Sequence, residues 1–364
     1  MMARAPSVRK VKLLAKLHID GFMLGILATV AVAALLPARG TAADALDWAT
    51  KIAIAVLFFL YGARLAPREA LAGLRHWRLH ASVLGTTFVL FPLLGLLLRP
   101  LSPSLLPADL YTGVLFLCLV PSTVQSSIAF TSMARGNVAG AVVGASLSNL
   151  VGVFVTPLLV VLLMKTTGEV RVPLGSVALI VVQLLVPFLA GQVLRPRLTW
   201  LLRHAAVVGS VDRGSVYLVV YAAFSAGMTE GIWKSLSPTT LLITAVVCAC
   251  LLAFVLCATT LSARLFGFAR ADRIVVTFCG SKKSLATGLP MASVLFAGHP
   301  IGMIVLPLML FHQIQLFTCA VLAQRYARHV EVDPLGNAPS ESGTVDELGQ
   351  SGAMSRMGVS VDRS

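Results

Sequence analysis

Apolar residues follow one another in ten long runs, separated by short gaps that contain polar residues, proline or glycine. The runs are about 20 residues long, the length an α-helix needs to cross about 30 Å of hydrocarbon. The pattern therefore predicts ten membrane-spanning helices. The runs, numbered one to ten in chain order, cover residues 20–38, 48–65, 81–98, 110–133, 138–164, 174–194, 215–232, 239–263, 274–297 and 301–323.

The ten runs divide into two sets of five, one before and one after about Gly168. An odd number of spans in each half turns the second half over relative to the first, as in many secondary transporters. We therefore expect an all-α membrane protein with two inverted five-helix repeats, about 20–167 and 174–323. The transmembrane bundle would cover 20–328, after a basic cytoplasmic N-terminus at 1–19.

Composition agrees with a membrane protein. Hydrophobic residues make up 57% of the chain and charged residues 12%, whereas soluble domains carry about 25% charged residues. The six cysteines all fall inside apolar runs without zinc or redox spacing, so we interpret them as small packing residues. The sequence shows no metal-ligand cluster, nucleotide-binding glycine loop or hydrolase motif, and we expect neither an enzyme nor a metal site.

The net charge of +14 comes from cations in the gaps between apolar runs, and not from one basic face. This distribution excludes a nucleic-acid partner and is typical of the positive-inside rule. With the N-terminus inside, 21 of the 29 lysines and arginines lie in cytoplasmic segments and 6 on the outer side. The asymmetry predicts a multi-pass protein of the cell (inner) membrane with both termini in the cytoplasm.

The two ends of the chain need separate interpretation. The basic stretch Arg4–Lys16 followed by an apolar run also resembles a signal peptide, but the topology works only if the first helix is retained. Residues 329–364 are rich in Ser, Gly, Asp and Glu and lack aromatic residues. Such a segment buries too little apolar surface to fold, so we predict a disordered cytoplasmic tail.

Runs four and nine are interrupted by polar residues, proline and glycine. Irregular backbone at membrane depth is tolerated only inside protein or beside a water-filled cavity, and paired interruptions in inverted halves point to a midplane substrate site. We therefore predict broken, crossing helices four and nine; packing between helices is the alternative interpretation. The interruptions are Pro121, Ser122, Thr123, Gln125, Ser126 and Ser127 in run four, and Gly280, Ser281, Lys282, Lys283, Ser284, Thr287, Gly288 and Pro290 in run nine.

Two adjacent lysines in run nine are the strongest functional signal. An ammonium at the bilayer centre costs at least about 3 kcal/mol. Helical neighbours point about 100° apart, so we expect one of Lys282 and Lys283 to face a cavity and the other to pair with a polar neighbour or reach the interface. A surface loop that holds both lysines is the alternative.

Other polar residues in the runs give weaker signals. Ser146, Ser148 and Asn149 in run five, and His312 and Gln313 in run ten, fit either a cavity wall or a bridge between helices, while Gln315 is expected to be structural. Every Asp and Glu falls in a gap, the tail or a helix end, so no buried carboxylate is expected to bind Na⁺ or relay a proton. The candidate substrate- or ion-binding residues are Gln125, Ser126, Ser127, Asn149, Ser281, Lys282, Lys283, Ser284 and His312.

Three motifs resemble the bile acid:sodium symporter family, in particular its bacterial branch related to the seventh member of human solute carrier family ten. They are Pro121–Ser127, Arg135–Asn137 and Gly280–Met291. The resemblance covers about residues 17–328. It implies a panel domain and a core domain, with broken helices four and nine crossing at the transport site.

The resemblance also implies sodium ligands, and here the chain departs from the family. Phe278 stands near the acidic position, Lys282 and Lys283 replace a Gln-Asn pair, and Thr87 stands where a glutamine is expected. In run four, Ser126 and Ser127 stand near the family's Ser-Asn ligands. A positive charge about 4 Å from Na⁺ opposes its binding by roughly 4 kcal/mol at an effective dielectric of 20. We therefore expect no resident cofactor and either H⁺ coupling or no coupling, with Na⁺ as the disfavoured ion.

These observations lead to one hypothesis with two alternatives. The chain is expected to move a small organic anion, a bile-acid-like or other carboxylate or sulfonate, by alternating access, with a lysine as the internal cation. The alternatives are a sodium-coupled organic anion symporter and a non-transporting membrane regulator with the same fold. The sequence determines neither the substrate nor the oligomeric state.

Overall fold

The computed structural model describes residues 21–64, 76–167, 174–229, 231 and 237–328. Both predicted ends of the chain, 1–19 and 329–364, therefore lie outside the described residues. Within those ranges the regular structure is helical throughout, without a β-strand. The all-α prediction is thereby confirmed for the described part of the chain.

Fourteen α-helices occupy the described ranges, and every apolar run contains at least one of them. The helices are α1 (Gly21–Leu35), α2 (Thr41–Arg64), α3 (Trp77–Gly85), α4 (Phe91–Leu97), α5 (Ala108–Leu119), α6 (Gln125–Met133), α7 (Val138–Thr167), α8 (Leu174–Leu194), α9 (Thr199–Arg203), α10 (Ala205–Thr229), α11 (Pro238–Leu265), α12 (Arg270–Gly280), α13 (Leu285–Leu295) and α14 (Ile301–Arg328).

Runs four and nine are both broken in the middle, as predicted. Run four forms α5 and α6 with residues 120–124 between them, because Pro121 has no N–H to continue the helical ladder. Run nine forms α12 and α13 around residues 281–284. The second helix there begins with an N-cap, since the Ser284 hydroxyl accepts a hydrogen bond from Thr287 N at 3.2 Å.

Run three contains a helical irregularity that its apolar pattern does not predict. A π-helical turn, Thr86–Leu90, joins α3 to α4, and Phe91 N bonds to Thr86 O across it. The next residue is Pro92, which has no N–H. The carbonyl of Thr87 is therefore left without a backbone hydrogen-bond donor.

The helices pack in two groups. The panel group is α1, α2, α8 and α10, and the core group consists of α3–α7 and α11–α14. In the panel group α2 and α8 cross closely, because a Cβ on Gly62 would overlap the carbonyl of Phe188 and a Cβ on Gly191 would overlap that of Phe59. Small residues at helix crossings are the usual way for membrane helices to approach each other.

The outer surface of the bundle is apolar, as a membrane protein requires. Five of the described helical stretches are long and apolar enough to span a bilayer, namely Trp77–Leu101, Val138–Met164, Ala206–Thr229, Pro238–Leu265 and Ile301–Arg328. Large apolar side chains such as Leu158, Val193 and Leu242 point outward with more than half of their surface exposed. Exposed Trp48, Trp77 and Trp200 lie near helix ends, where tryptophans of membrane proteins meet the lipid headgroups.

The seventh run differs from its prediction in where it begins. Its helix, α10, starts at Ala205, ten residues before the predicted start at 215. The difference arises because the preceding turns are amphipathic, with Asp212 and Arg213 among apolar residues. The expectation that every carboxylate would lie in a gap, the tail or a helix end is therefore wrong for Asp212, which lies within α10 with a side chain only 13% exposed.

Candidate functional site

The two helix breaks lie against each other in the core group. Ser284 N donates to Pro121 O at 2.8 Å, and the Ser122 hydroxyl donates to Cys279 O at 2.6 Å. Each break thereby supplies hydrogen-bond partners for backbone groups of the other break that have none within their own helix. The predicted contact between the interrupted segments is thus present.

Each break is also held by a side-chain amide from the helix that follows it. Asn149 on α7 donates to Ser122 O at 2.6 Å. Gln315 on α14 accepts from Lys283 N and donates to Lys283 O, both at 2.9 Å. A buried peptide group outside a helix needs such partners, so the structural role expected for Gln315 has a clear physical reason.

The Lys283 ammonium lies in a cage of three backbone carbonyls. Its Nζ donates to Thr87 O at 3.0 Å, Cys118 O at 2.9 Å and Val120 O at 2.8 Å. The Phe91 ring covers the group, with its centroid 4.1 Å from Nζ. The side chain is fully buried, and all three ammonium hydrogens have an acceptor.

Local backbone geometry explains why two of these three carbonyls are available. Pro92 leaves Thr87 O without a donor, as described above. Ser122 N would bond to Cys118 O in a continuous helix, but it donates to the Ser148 hydroxyl at 3.1 Å instead. Lys283 therefore binds at the C-terminal end of α5, where the helix dipole favours a cation.

The Lys282 ammonium lies in a different pocket, which is mainly aromatic. Its Nζ donates to Ser126 O at 2.8 Å and lies 3.8 Å from the Phe130 ring centroid and 5.5 Å from that of Phe278. Cation–π contacts of this kind stabilise a desolvated ammonium. The Ser127 hydroxyl donates to Phe278 O at 3.3 Å beside it.

A cavity of about 550 Å³ separates the panel group from the breaks. Its inner end is polar and is formed by the first turns of α6 and α13 together with Asn149 of α7. Its walls are mostly apolar, and its mouth carries Arg64, Asp212 and Arg213. The residues that line it are Phe22, Tyr61, Arg64, Thr123, Val124, Gln125, Ser146, Asn149, Leu150, Val153, Phe188, Leu202, Val208, Gly209, Asp212, Arg213, Val216, Ser284, Ala286 and Thr287.

Three of the nine candidate residues line this cavity, namely Gln125, Asn149 and Ser284. The other six are not part of its lining: for example, Ser281 donates to Thr277 O at 2.6 Å, and the His312 ring contacts Gln315 Nε2 at 2.8 Å. The Ser126 side chain contacts the Thr123 hydroxyl at 3.0 Å. The candidate set therefore divides into cavity residues and residues that hold the breaks together.

The expectation that a lysine side chain would face the cavity needs correction. Both ammonium groups point into the core group and are fully buried, and neither belongs to the cavity wall. The reason is that both lysines lie in the non-helical break itself, where the backbone turns the two side chains to separate pockets. The alternative of a surface loop is also wrong, since the side chains of residues 281–284 are all buried.

The sequence analysis missed the charged residues at the mouth. Arg64 Nη1 bonds to Asp212 Oδ2 at 2.8 Å, which joins α2 to α10, and the exposed Arg213 follows on α10. Tyr61 lines the same cavity as Asp212 and Thr287. The amphipathic pattern of residues 205–214 was the one signal from which an earlier start of α10 could have been predicted. That start would have placed these charged groups within the helical bundle.

Two broken helices that meet inside an apolar bundle, beside a cavity between two helix groups, define a membrane transporter. The comparison with protein families agrees. The chain belongs to the SBF-like CPA transporter family, whose model matches residues 20–328.

Individual relatives are similar over most of the chain. A protein of Pseudomonas aeruginosa named uncharacterized protein PA2026 is 54% identical, covering 88% of this chain and 97% of the relative. The putative symporter YfeH of Escherichia coli is 48% identical, with 86% and 94% covered. Sodium/bile acid cotransporter 7 of Rattus norvegicus is 29% identical, with 85% and 93% covered.

Proposed function

We propose that this protein is a secondary transporter that moves a small organic anion across the cell membrane by alternating access. The observation that carries the proposal is the cavity that runs from the paired breaks to the arginines at its mouth. In this mechanism the core group moves against the panel group and exposes the breaks to either side in turn.

Ten spans in two inverted repeats are part of the proposal. Asn149 and Gln315 support it. Each carries a side-chain amide on the fifth apolar run of its half, and each amide bonds to the backbone at the break in the fourth run of the same half. Such equivalent positions are expected when two halves share one fold in opposite orientations.

The proposed orientation places both termini in the cytoplasm. Contacts between distant segments support the grouping of helix ends on two sides, and the asymmetry of lysines and arginines assigns one of these sides to the cytoplasm. Asn137 Nδ2 bonds to Asp272 Oδ1 at 2.8 Å and Arg270 Nη2 to Tyr326 O at 2.6 Å on the cytoplasmic side. Ala38 N bonds to the Ser225 hydroxyl at 2.6 Å on the outer side. In this orientation the mouth of the cavity opens to the cytoplasm.

An anionic solute with an apolar body fits the cavity best. The first turns of α6 and α13, whose dipole ends are positive, line its inner end. The mouth adds two guanidinium groups and one carboxylate, while the walls between are mostly apolar. A volume of about 550 Å³ is in the usual range of sites for drug-sized ligands. A bile-acid-like or other carboxylate or sulfonate has this chemistry.

Sodium independence is a further part of the proposal. Lys282 and Lys283 bring two fixed cations to the breaks, and their ammonium groups occupy the carbonyl oxygens and aromatic faces that a free cation would use. A further cation beside them would be repelled. Transport is then proton-linked or uncoupled, without a resident cofactor.

Sodium-coupled transport of an organic anion is the second candidate function. It is favoured by the similarity to the rat protein named sodium/bile acid cotransporter 7. The two candidates differ in one observable property, the requirement for external Na⁺.

A ligand screen followed by a flux measurement tests the proposed function. Purified protein is first screened for thermal stabilisation by carboxylates, sulfonates, steroids and nucleosides, since a ligand that binds only the folded state raises its melting temperature. The best anion is then followed into liposomes that contain the protein. Stabilisation by organic anions and uptake above empty liposomes are expected. Binding without uptake would instead indicate a membrane regulator with the transporter fold.

A further inference from the structure

The mouth of the cavity contains an ion pair that is only loosely held. Arg64 reaches Asp212 with one nitrogen and one oxygen, and within the described residues the buried Asp212 Oδ1 accepts no hydrogen bond. A guanidinium that bonds a carboxylate through two parallel hydrogen bonds forms a stronger and more specific pair. The Arg64 side chain is 35% exposed, so a solute can approach the bond between them.

The charges around this pair are unbalanced in favour of cations. Arg64 and Arg213 face a single carboxylate at the mouth. Elsewhere in the described ranges the one other ion pair is Lys51–Asp47, which lies on the exposed side of α2 and not on the cavity wall. The field at the mouth therefore attracts anions and repels cations.

Polar side chains line the cavity at the pair and at the helix breaks. Tyr61 lines it together with Asp212 and Thr287. The Thr287 hydroxyl donates to Asn149 Oδ1 at 2.9 Å, and the Ser284 hydroxyl donates to the Thr287 hydroxyl at 2.9 Å. A solute that enters past the arginines therefore meets a polar inner end.

We propose that Arg64, Asp212 and Arg213 form an anion-selective gate, in which Arg64 exchanges the Asp212 carboxylate for the carboxylate or sulfonate of the solute. Asp212 acts as a tethered competitor that holds Arg64 in place while the cavity is empty. Arg213, which forms no ion pair with another residue that the structure describes, adds attraction. This inference rests on the proposed function and assigns it a specificity element in the panel group.

Charged thiol reagents test the gate without knowledge of the substrate. Ser146→Cys places a thiol on the cavity wall, and Cys250→Ala with Cys257→Ala removes the two exposed native thiols. The thiolate attacks a methanethiosulfonate reagent, forms a mixed disulfide and releases methanesulfinate. Each reagent's rate is first divided by its rate with a small free thiol, and the scaled rate with an anionic sulfonatoethyl reagent is then divided by that with a cationic trimethylammonioethyl reagent. This ratio cancels any change in the thiolate fraction.

The proposed gate predicts that substitution of its arginines and substitution of its aspartate change the ratio in opposite directions. The ratio should exceed one in the Ser146→Cys parent and fall about threefold to tenfold in Arg64→Gln and in Arg213→Gln, because each removes a positive charge. Asp212→Asn should raise the ratio by a similar factor, whereas Arg64→Lys should keep it. Asp47→Asn with Lys51→Gln is the matched control, an ion pair outside the cavity, and should change nothing.

Protection by benzenesulfonate tests the exchange itself. This anion should slow labelling of Ser146→Cys, at lower concentrations in Asp212→Asn and at higher concentrations in Arg64→Gln. A purely structural ion pair would change both reagents' rates together in both variants and leave the ratio constant; that result, or a ratio near one in the parent, would overturn the gate. Intact selectivity without uptake in liposomes would contradict the proposed function and leave the gate standing.

Discussion

Two adjacent lysines occupy environments that differ in kind, and this difference should appear in stability. Lys283 supplies the donors for three buried carbonyls, whereas Lys282 bonds to one carbonyl and two rings. A buried acceptor without a donor costs about 1–3 kcal/mol. Lys283→Met should therefore lower the melting temperature of the purified protein more than Lys282→Met, which keeps a similar apolar stem against Phe130.

The comparison is made by thermal unfolding in one detergent, with methionine chosen in both variants for its similar length and lack of charge. Equal melting temperatures for the two variants, or a lower one for Lys282→Met, would contradict the carbonyl cage.

The sequence identified these lysines but not their partners. Their cost at membrane depth and their position between Gly280 and Ser284 were sufficient to predict a break with an internal cation. One wall of the Lys283 cage depends on Pro92 and the π-helical turn before it, which lie almost 200 positions earlier in the chain. A contact at that separation leaves no local signal in the sequence.

At the scale of helices, the crossing of α2 with α8 should tolerate no side chain at its closest points. Gly62→Ala and Gly191→Ala should each lower the melting temperature, because the new methyl group would overlap a backbone carbonyl of the other helix. Gly214→Ala on α10 is the matched control, since its Cβ would meet nothing within 4 Å. Alanine is favoured over glycine within a helix by about 1 kcal/mol, so this variant should be as stable as the parent or more so.

Thermal unfolding of the three variants checks this expectation. Full tolerance of Gly62→Ala together with Gly191→Ala would mean that the two helices do not pack as closely as described.

Element boundaries show where the sequence was informative. Runs four and nine were predicted to be broken because proline and consecutive polar residues interrupt an apolar run, and both breaks are present. The start of α10 was missed because its first turns carry Asp212 and Arg213, which a hydropathy pattern assigns to a loop. Helical turns that line a cavity carry polar residues, so a prediction from hydropathy alone assigns them to the gap between two apolar runs.

For the whole molecule, the proposed orientation predicts which residues reach each side of the membrane. Cysteines introduced at Ser102 and Gly168 should react with an impermeant thiol reagent in intact cells. One introduced at Ser210 should react only after permeabilisation, because residues 195–214 are assigned to the cytoplasmic side with many arginines. Labelling of Ser210→Cys in intact cells would invalidate both the orientation and the inverted repeats.

The tail gives a second prediction at this scale. Its composition cannot form a packed core, so truncation after Val332 should leave membrane yield and melting temperature close to those of the full chain. The truncated and full-length proteins are compared in parallel preparations. A large loss of either property would show that the tail docks on the bundle.

Uptake of an anion identified by the stability screen, measured in liposomes with Na⁺ or with choline outside, tests the central claim most directly. We expect equal uptake in the two media, since Lys282 and Lys283 already supply the internal cations. Lys282→Ala or Lys283→Ala should abolish uptake or make it depend on Na⁺. Uptake that disappears in choline but survives both lysine substitutions would contradict this account and establish a sodium-coupled mechanism instead.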